Sequence, residues 1–211
     1  CISSAASDVY KRQAWGWAWA GALVGVLPAV VAFAPAHWLA GGVARATQGQ
    51  VLLLQPRGTV WTGSAQLVLT GGQASKDSAA LPGRVDWQLR PTWSGLRARL
   101  QAGCCTAEPL QAQVHLRWTG LQITLADGQS QWPAALLAGL GTPWNTLQPQ
   151  GQLALQTRAL AVQWAEGRMV LSGQAQLDAR AMSSRLSTLR PMGSYRLVLQ
   201  GGEVPTLALS T

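Results

Sequence analysis

Residues that carry chemistry are scarce in this chain. Among 211 residues there are two histidines, three cysteines and eight carboxylates, and charged residues make up only 11%. His37 and His115 are too far apart in sequence to build a metal site of ordinary His/Cys spacing, and no Cys-x-x-Cys pair exists. The carboxylates are scattered without a close pair, so paired acid–base catalysis has no candidate. No Gly-x-Ser-x-Gly elbow offers His115 a nucleophile, and His115 reads as a polar residue on a sheet face. No phosphate-cradling loop occurs either, and the 23 glycines punctuate strand-like runs instead. The expectation is a chain with no catalytic, cofactor-binding or metal residues, hence not an enzyme. The net charge of +8 comes from 14 Arg and 2 Lys spread along the chain, and Lys11–Arg12 is the one adjacent basic pair. Nucleic-acid binders concentrate such charge into a stripe, so that class is excluded. Cys104 and Cys105 are neighbours, and a disulfide between neighbours demands an unusual geometry. Their state stays open.

What the chain does have is an uncharged run of 23 residues, Ala14 to Ala36, directly after Lys11–Arg12. At ~1.5 Å rise per residue such a helix reaches about 34 Å, enough to cross a bilayer. Ala32-Phe33-Ala34 has the small-x-small form of a signal cleavage site. The run is longer than a signal peptide's apolar region, however, and Pro35 would follow the cut. An uncleaved anchor over residues 14–38 is the favoured reading. Trp15, Trp17 and Trp19 at one end and Trp38 at the other fit interfacial belts. Pro28 is expected to kink the helix. Gly21 and Gly25 form a G-x-x-x-G face that suits packing against another helix, though the pattern also arises by chance in Ala/Gly-rich helices. Residues 1–13 read as a non-native leader, so the flanking-charge rule for orientation is nearly silent.

From residue 39 onward the chain alternates in short runs broken by Gly and Pro, the pattern of strands. Strands are expected over 50–54, with a turn at 56–58, then over 59–61, 64–70, 84–90 (ended by Pro91), 97–102, 111–118 and 121–126. Further strands are expected over 151–156, 160–165, 169–177 and 195–200. Val85, Trp87 and Leu89 should face inward, and Asp86, Gln88 and Arg90 outward. Trp61, Trp87, Trp118 and Trp164 all stand in alternating runs and read as sheet-core residues, or more sharply as the wall of an apolar groove. Two segments read as helical, 133–140 and 179–189. The fold class is therefore mainly β: one N-terminal transmembrane helix, then an antiparallel sheet or half-open groove with one or two short helices. Gly63-Ser-Ala-Gln-Leu67 recurs as Gly173-Gln-Ala-Gln-Leu177, which suits two similar β modules of about 45–130 and 145–211 within residues 39–211.

The order of short motifs carries a resemblance. These are Leu27-Pro28, Pro35-Ala36-x-Trp38-Leu39, Gly58-Thr59-Val60-Trp61-x-Gly63-x-Ala65, Trp87-x-Leu89-x-Pro91, the 133–140 region, Pro149-x-Gly151-x-Leu153-x-Leu155 and Gly193-x-Tyr195-x-Leu197. In this order, from about Leu27 to about Leu207, they resemble protein N of the bacterial type II secretion system. The resemblance implies a single-pass inner-membrane protein with its domain in the periplasm. It further implies an accessory role in secretion through binding other inner-membrane or periplasmic components. Family members usually continue further, so Thr211 reads as a truncation. The family is also akin to AsmA-like β-groove proteins, which supplies an alternative: a lipid-handling protein of the envelope with lipid as partner. No catalytic residue carries over. Gly58, Trp61, Gly63, Ala65, Trp87, Leu89, Pro91, Gly151, Gly193 and Tyr195 are the structural motif residues.

Overall fold

In a computed structural model the described residues are 5–72, 75–118, 120–165, 167–202 and 205–211, with side chains described from residue 16 onward. The leader assigned to residues 1–13 lies outside the described side chains, as do Lys11, Arg12 and Trp15. Helix α1 (Ala5–Ala32) runs through Pro28, and helix α2 (Ala36–Ala46) follows it directly. Among the described residues no helix is long and apolar enough to cross a membrane. At the far end of the expected 14–38 anchor the chain does not continue α1. Residues 36–38 belong to α2, which lies on the sheet with Ala36 only 2% exposed.

Among the described residues twelve strands join one sheet, every pairing antiparallel. They are β1 (Val51–Gly58), β2 (Thr62–Thr70), β3 (Ser78–Ala80), β4 (Val85–Thr92), β5 (Gly95–Ala102), β6 (Leu110–Arg117), β7 (Gly120–Leu125), β8 (Gly128–Pro133), β9 (Gln150–Ala165), β10 (Arg168–Ser183), β11 (Gly193–Gly202) and β12 (Thr206–Ser210). The order is β1-β2-β4-β5-β6-β7-β9-β10-β11-β12, with β3 on β2 and β8 on β9. The pairing of β7 with β9 carries the sheet without a break from the first expected module into the second.

Most departures from the expected elements trace to bulges. The turn expected at 56–58 is instead a continuation of β1 past a register shift, where Gln55 adopts φ 48°. Arg84 holds that irregularity, donating to Gln55 O at 2.8 Å and to Ser64 O at 2.9 Å. Residues 59–61, expected as strand, form the β1–β2 turn. The runs 151–156 and 160–165 are one 16-residue strand, and the apparent gap is a bulge at Ala159, φ 46°. The helix expected over 179–189 is not formed. Ala179 pairs with Tyr195 and Met182 with Gly193, so β10 continues to Ser183. Beyond it, Ser184 and Ser187 accept bonds from the N–H groups of Leu186 and Leu189, the local turns serine favours over helix. Pro91 does not end β4. It pairs with Leu96 on one side, while β2 reaches only as far as Gln88 on the other, so no neighbour there needs its missing N–H. The 133–140 helix is present as a 3-10 helix, Ala134–Leu140, and a further turn, α3 (Trp144–Leu147), follows it.

Register puts the apolar residues of successive strands on a shared face. Trp87 is opposite Leu100, Val114 opposite Ile123, Ile123 opposite Val162, and Val162 opposite Leu171. Past the Ala159 bulge, which resets the alternation, Leu155 is opposite Leu177 and Leu177 opposite Leu197. One face of the sheet is thus apolar across its width, and the other carries Gln, Arg and Asp. Among the described residues a second layer covers the β1–β5 part of this face, and its 3-10 helix also reaches β9. There α2 packs Ala36 against Ala65 and Trp87, and the 3-10 helix packs Leu136 against Leu81, Ala102 and Cys105.

Candidate functional site

The β1–β2 turn, residues 59–61, is where the sheet grips α1. Trp61 donates its indole N–H to Val31 O at 2.7 Å. The N–H of Val60 donates to Ala34 O at 2.8 Å, and Pro35 bridges Thr59. Val31 lies in the last turn of α1, whose carbonyls have no partner within the helix. From below, Trp87 shares its indole N–H between Thr59 O at 3.2 Å and Val60 O at 3.1 Å. Gly58 permits the turn, with φ 88° and its partner Gly63 directly opposite. Six of the expected motif residues meet here: Gly58, Trp61, Gly63, Ala65, Trp87 and Leu89. Ala65 is fully buried and Trp87 is 3% exposed. Pro91 lies outside this cluster, toward the β4–β5 turn.

Gly151 on β9 and Gly193 and Tyr195 on β11 form a second group, on either side of β10. Gly193 pairs with Met182, Tyr195 pairs with Ala179, and a Cβ on Gly151 would sit 2.7 Å from Arg180 O. Gly21 and Gly25, on α1, have nothing within 4 Å of where a Cβ would be.

Between α2 and the apolar face lies an open cavity of about 400 Å³. Leu39 and Val43 of α2 form one wall, and Leu53, Leu67, Val85, Trp87, Leu89, Leu100 and Leu110 form the other, with Trp132 and Ala102 at its side. Gln101 and Thr106 are its polar lining residues. Its lining is almost wholly apolar. Leu100, Leu110 and Trp132 were not singled out from sequence. Leu100 and Leu110 stand in alternating runs, but β8, which carries Trp132, was not expected at all.

The tryptophans divide. Trp87 is core as expected, but Trp118 is fully exposed and Trp164 is 54% exposed, correcting their assignment to the core. They stand where no second layer covers the sheet. His115 is a sheet residue as expected, its Nδ1 3.2 Å from Ser94 Oγ. Cys104 and Cys105 form a disulfide between neighbours, with the Cys105 end buried. Among the described residues no three His, Cys, Asp or Glu side chains come together as a metal site would require.

Among the described residues the one buried carboxylate with a shifted pKa is Asp178, on the polar face. Its Oδ1 accepts from Arg196 Nε at 2.8 Å and from Gln176 at 3.0 Å, and Arg180 lies 3.4 Å from Oδ2. The Arg196 hydrogen bond holds its pKa below the ordinary 3.8, against desolvation, which raises it. A depressed folded-state value means stability that is present above about pH 4 and lost as pH falls through the folded value. Asp178→Asn should therefore flatten the acid limb of a thermal-stability profile while changing little between its pH 5 and pH 6 values. An unchanged acid limb would show that the carboxylate is not linked to folding.

Residues 49–211 match the family model for type II secretion system (T2SS), protein N, which spans the sheet from β1 to β12. No curated protein and no solved structure matches the chain.

Proposed function

This chain belongs to the type II secretion system protein N family and is a component of that secretion machinery. From that premise we propose that it is an accessory component acting by binding and not by chemistry, held at the bacterial inner membrane by α1 with the sheet in the periplasm. The observation that carries the reading is the grip of residues 59–61 on the end of α1. It couples the position of the helix to the sheet through Trp61 and Val60. Every side chain of α1 from Gly16 to Ala32 is exposed and uncharged, and a helix apolar all round wants an apolar medium or a partner. Among the described residues nothing lies within 4 Å of a Cβ placed on Gly21 or Gly25, which leaves that face available to a partner helix. Partners are other inner-membrane or periplasmic components of the same machinery. A strand edge is one means of docking. Among the described residues β12 pairs on one side only, through β11.

The continuous apolar sheet face and its cavity favour a second reading, AsmA-like lipid handling, in which an acyl chain occupies the space under α2. One complementation experiment separates the two. In a deletion strain, Gly21→Leu and Gly25→Leu should lower exoprotein secretion at unchanged protein abundance, because nothing within the chain opposes those side chains. His115→Ala and the paired Cys104→Ser/Cys105→Ser change should secrete like wild type. Loss of secretion with abundant, folded His115→Ala would end the non-catalytic reading. Phospholipid purifying with the protein in stoichiometric amount, together with unaffected glycine variants, would move the assignment to lipid handling.

A further inference from the structure

Antiparallel pairing brings the β1–β2, β4–β5, β6–β7, β9–β10 and β11–β12 connections to one end of the sheet. The described residues of the first four are 59–61, 93–94, Trp118 and Gly167. The register fixes this: Thr62 is opposite Gln88, Gly95 opposite His115, Arg117 opposite Gly120, and Gly120 opposite Ala165. Hairpin tips in water favour Gly, Asn, Asp and Ser. Here they carry Trp93 at 109% and Trp118 at 107% exposure, with Trp164 (54%), Leu116 (69%) and Met169 (63%) beside them. Arg90, Arg97, Arg117 and Arg168 stand exposed at the same end, and none forms an ion pair among the described residues. Glu166 and Glu203, which fall by sequence in the β9–β10 and β11–β12 connections, lie outside the described residues.

We infer that this end of the sheet is a membrane-contact surface whose partner is an anionic phospholipid bilayer. The inference rests on reading α1 as the anchor, and it adds that the sheet itself touches the membrane through its turns. Three observations point to lipid. Trp at the tip of a structure, with its amphipathic ring, is the residue that settles at headgroup level. The arginines beside it complement phosphate and reach it with long side chains. The surface is also continuous with α1, because the turn that grips Val31 and Ala34 is the first of the five. At about 4.8 Å between strands, turns two strands apart stand roughly 10 Å from one another, so the exposed tryptophans are set out as a line of contacts and not as one patch.

The test uses the full chain in vesicles of phosphatidylethanolamine and phosphatidylglycerol, with and without bromine on the acyl chains, comparing wild type with the double variant W93F/W118F. Both side chains are fully exposed, so the variant should unfold at the wild-type temperature and float with the vesicles. The wild-type-minus-variant fluorescence isolates these two indoles. It should lose roughly half or more of its intensity in bromolipid and shift to the blue relative to protein in detergent. If floating protein gives a difference signal quenched by aqueous acrylamide and untouched by bromolipid, the turns face water or await a protein partner. The inference is then overturned while the anchor stands. Protein that does not float with the vesicles removes the anchor and this contact together.

Discussion

Trp87→Ala should destabilise the protein by about 3–5 kcal/mol, the usual cost of truncating a buried aromatic. The side chain is 3% exposed and packs with Ala36 and Ala65, so its loss opens a cavity beneath α2. It also deletes the donor shared by Thr59 O and Val60 O, the two carbonyls of the turn that holds α1. Gln88→Ala, one residue along on the exposed face, should stay within about 0.5 kcal/mol. Thermal or urea unfolding of both variants checks the pair. Equal losses would mean that the register of β4 is wrong. Trp87→Phe should recover part of the packing and none of the hydrogen bond, which separates the two contributions.

The second large effect is expected at Gly63. A Cβ there would lie 2.6 Å from Trp87 Cζ2 and 3.0 Å from Thr59 O, and would overlap Arg57 O. Two of these neighbours are backbone carbonyls, which cannot swing aside as a side chain does. Gly63→Ala should therefore cost about 1–3 kcal/mol or more, as forced overpacking does. Removing Trp87 relieves one of the three clashes and leaves the carbonyls. The double variant Gly63→Ala/Trp87→Ala should consequently lose less stability than the sum of the singles. Strict additivity would contradict contact between the two positions.

Much of the sheet was legible because alternation is a local property. Val85, Trp87 and Leu89 point inward, and Asp86, Gln88 and Arg90 outward, as their period of two requires. The repeated Gly-x-Ala-Gln-Leu pattern also has a structural counterpart. Both Gly63 and Gly173 lie against a carbonyl of the neighbouring strand, Arg57 O and Ala159 O, where no side chain fits. The motif residues around Trp61 come together as a cluster, but nothing in the order of the motifs indicated that Gly151, Gly193 and Tyr195 form a separate one. Strand ends were less legible. Gln55 and Ala159 take positive φ without being glycine, which no sequence pattern announces, and those bulges turned an expected turn and an expected gap into continuous strand. The segment 179–183 has the composition of a helix, and pairing with β11 overrode that propensity.

The sequence by itself determined which residues share a face of the sheet, where most strands lie and the family to which the chain belongs, since periodicity and short motif order are written along the backbone. Only the tertiary structure decided which of those residues are buried. Trp87, Trp118 and Trp164 stand in equivalent alternating runs. Yet α2 covers the first, and no layer covers the other two, which end at the turns. Alternation fixes the direction a side chain points; whether water remains there depends on a second layer supplied from elsewhere in the chain, and no local pattern encodes that.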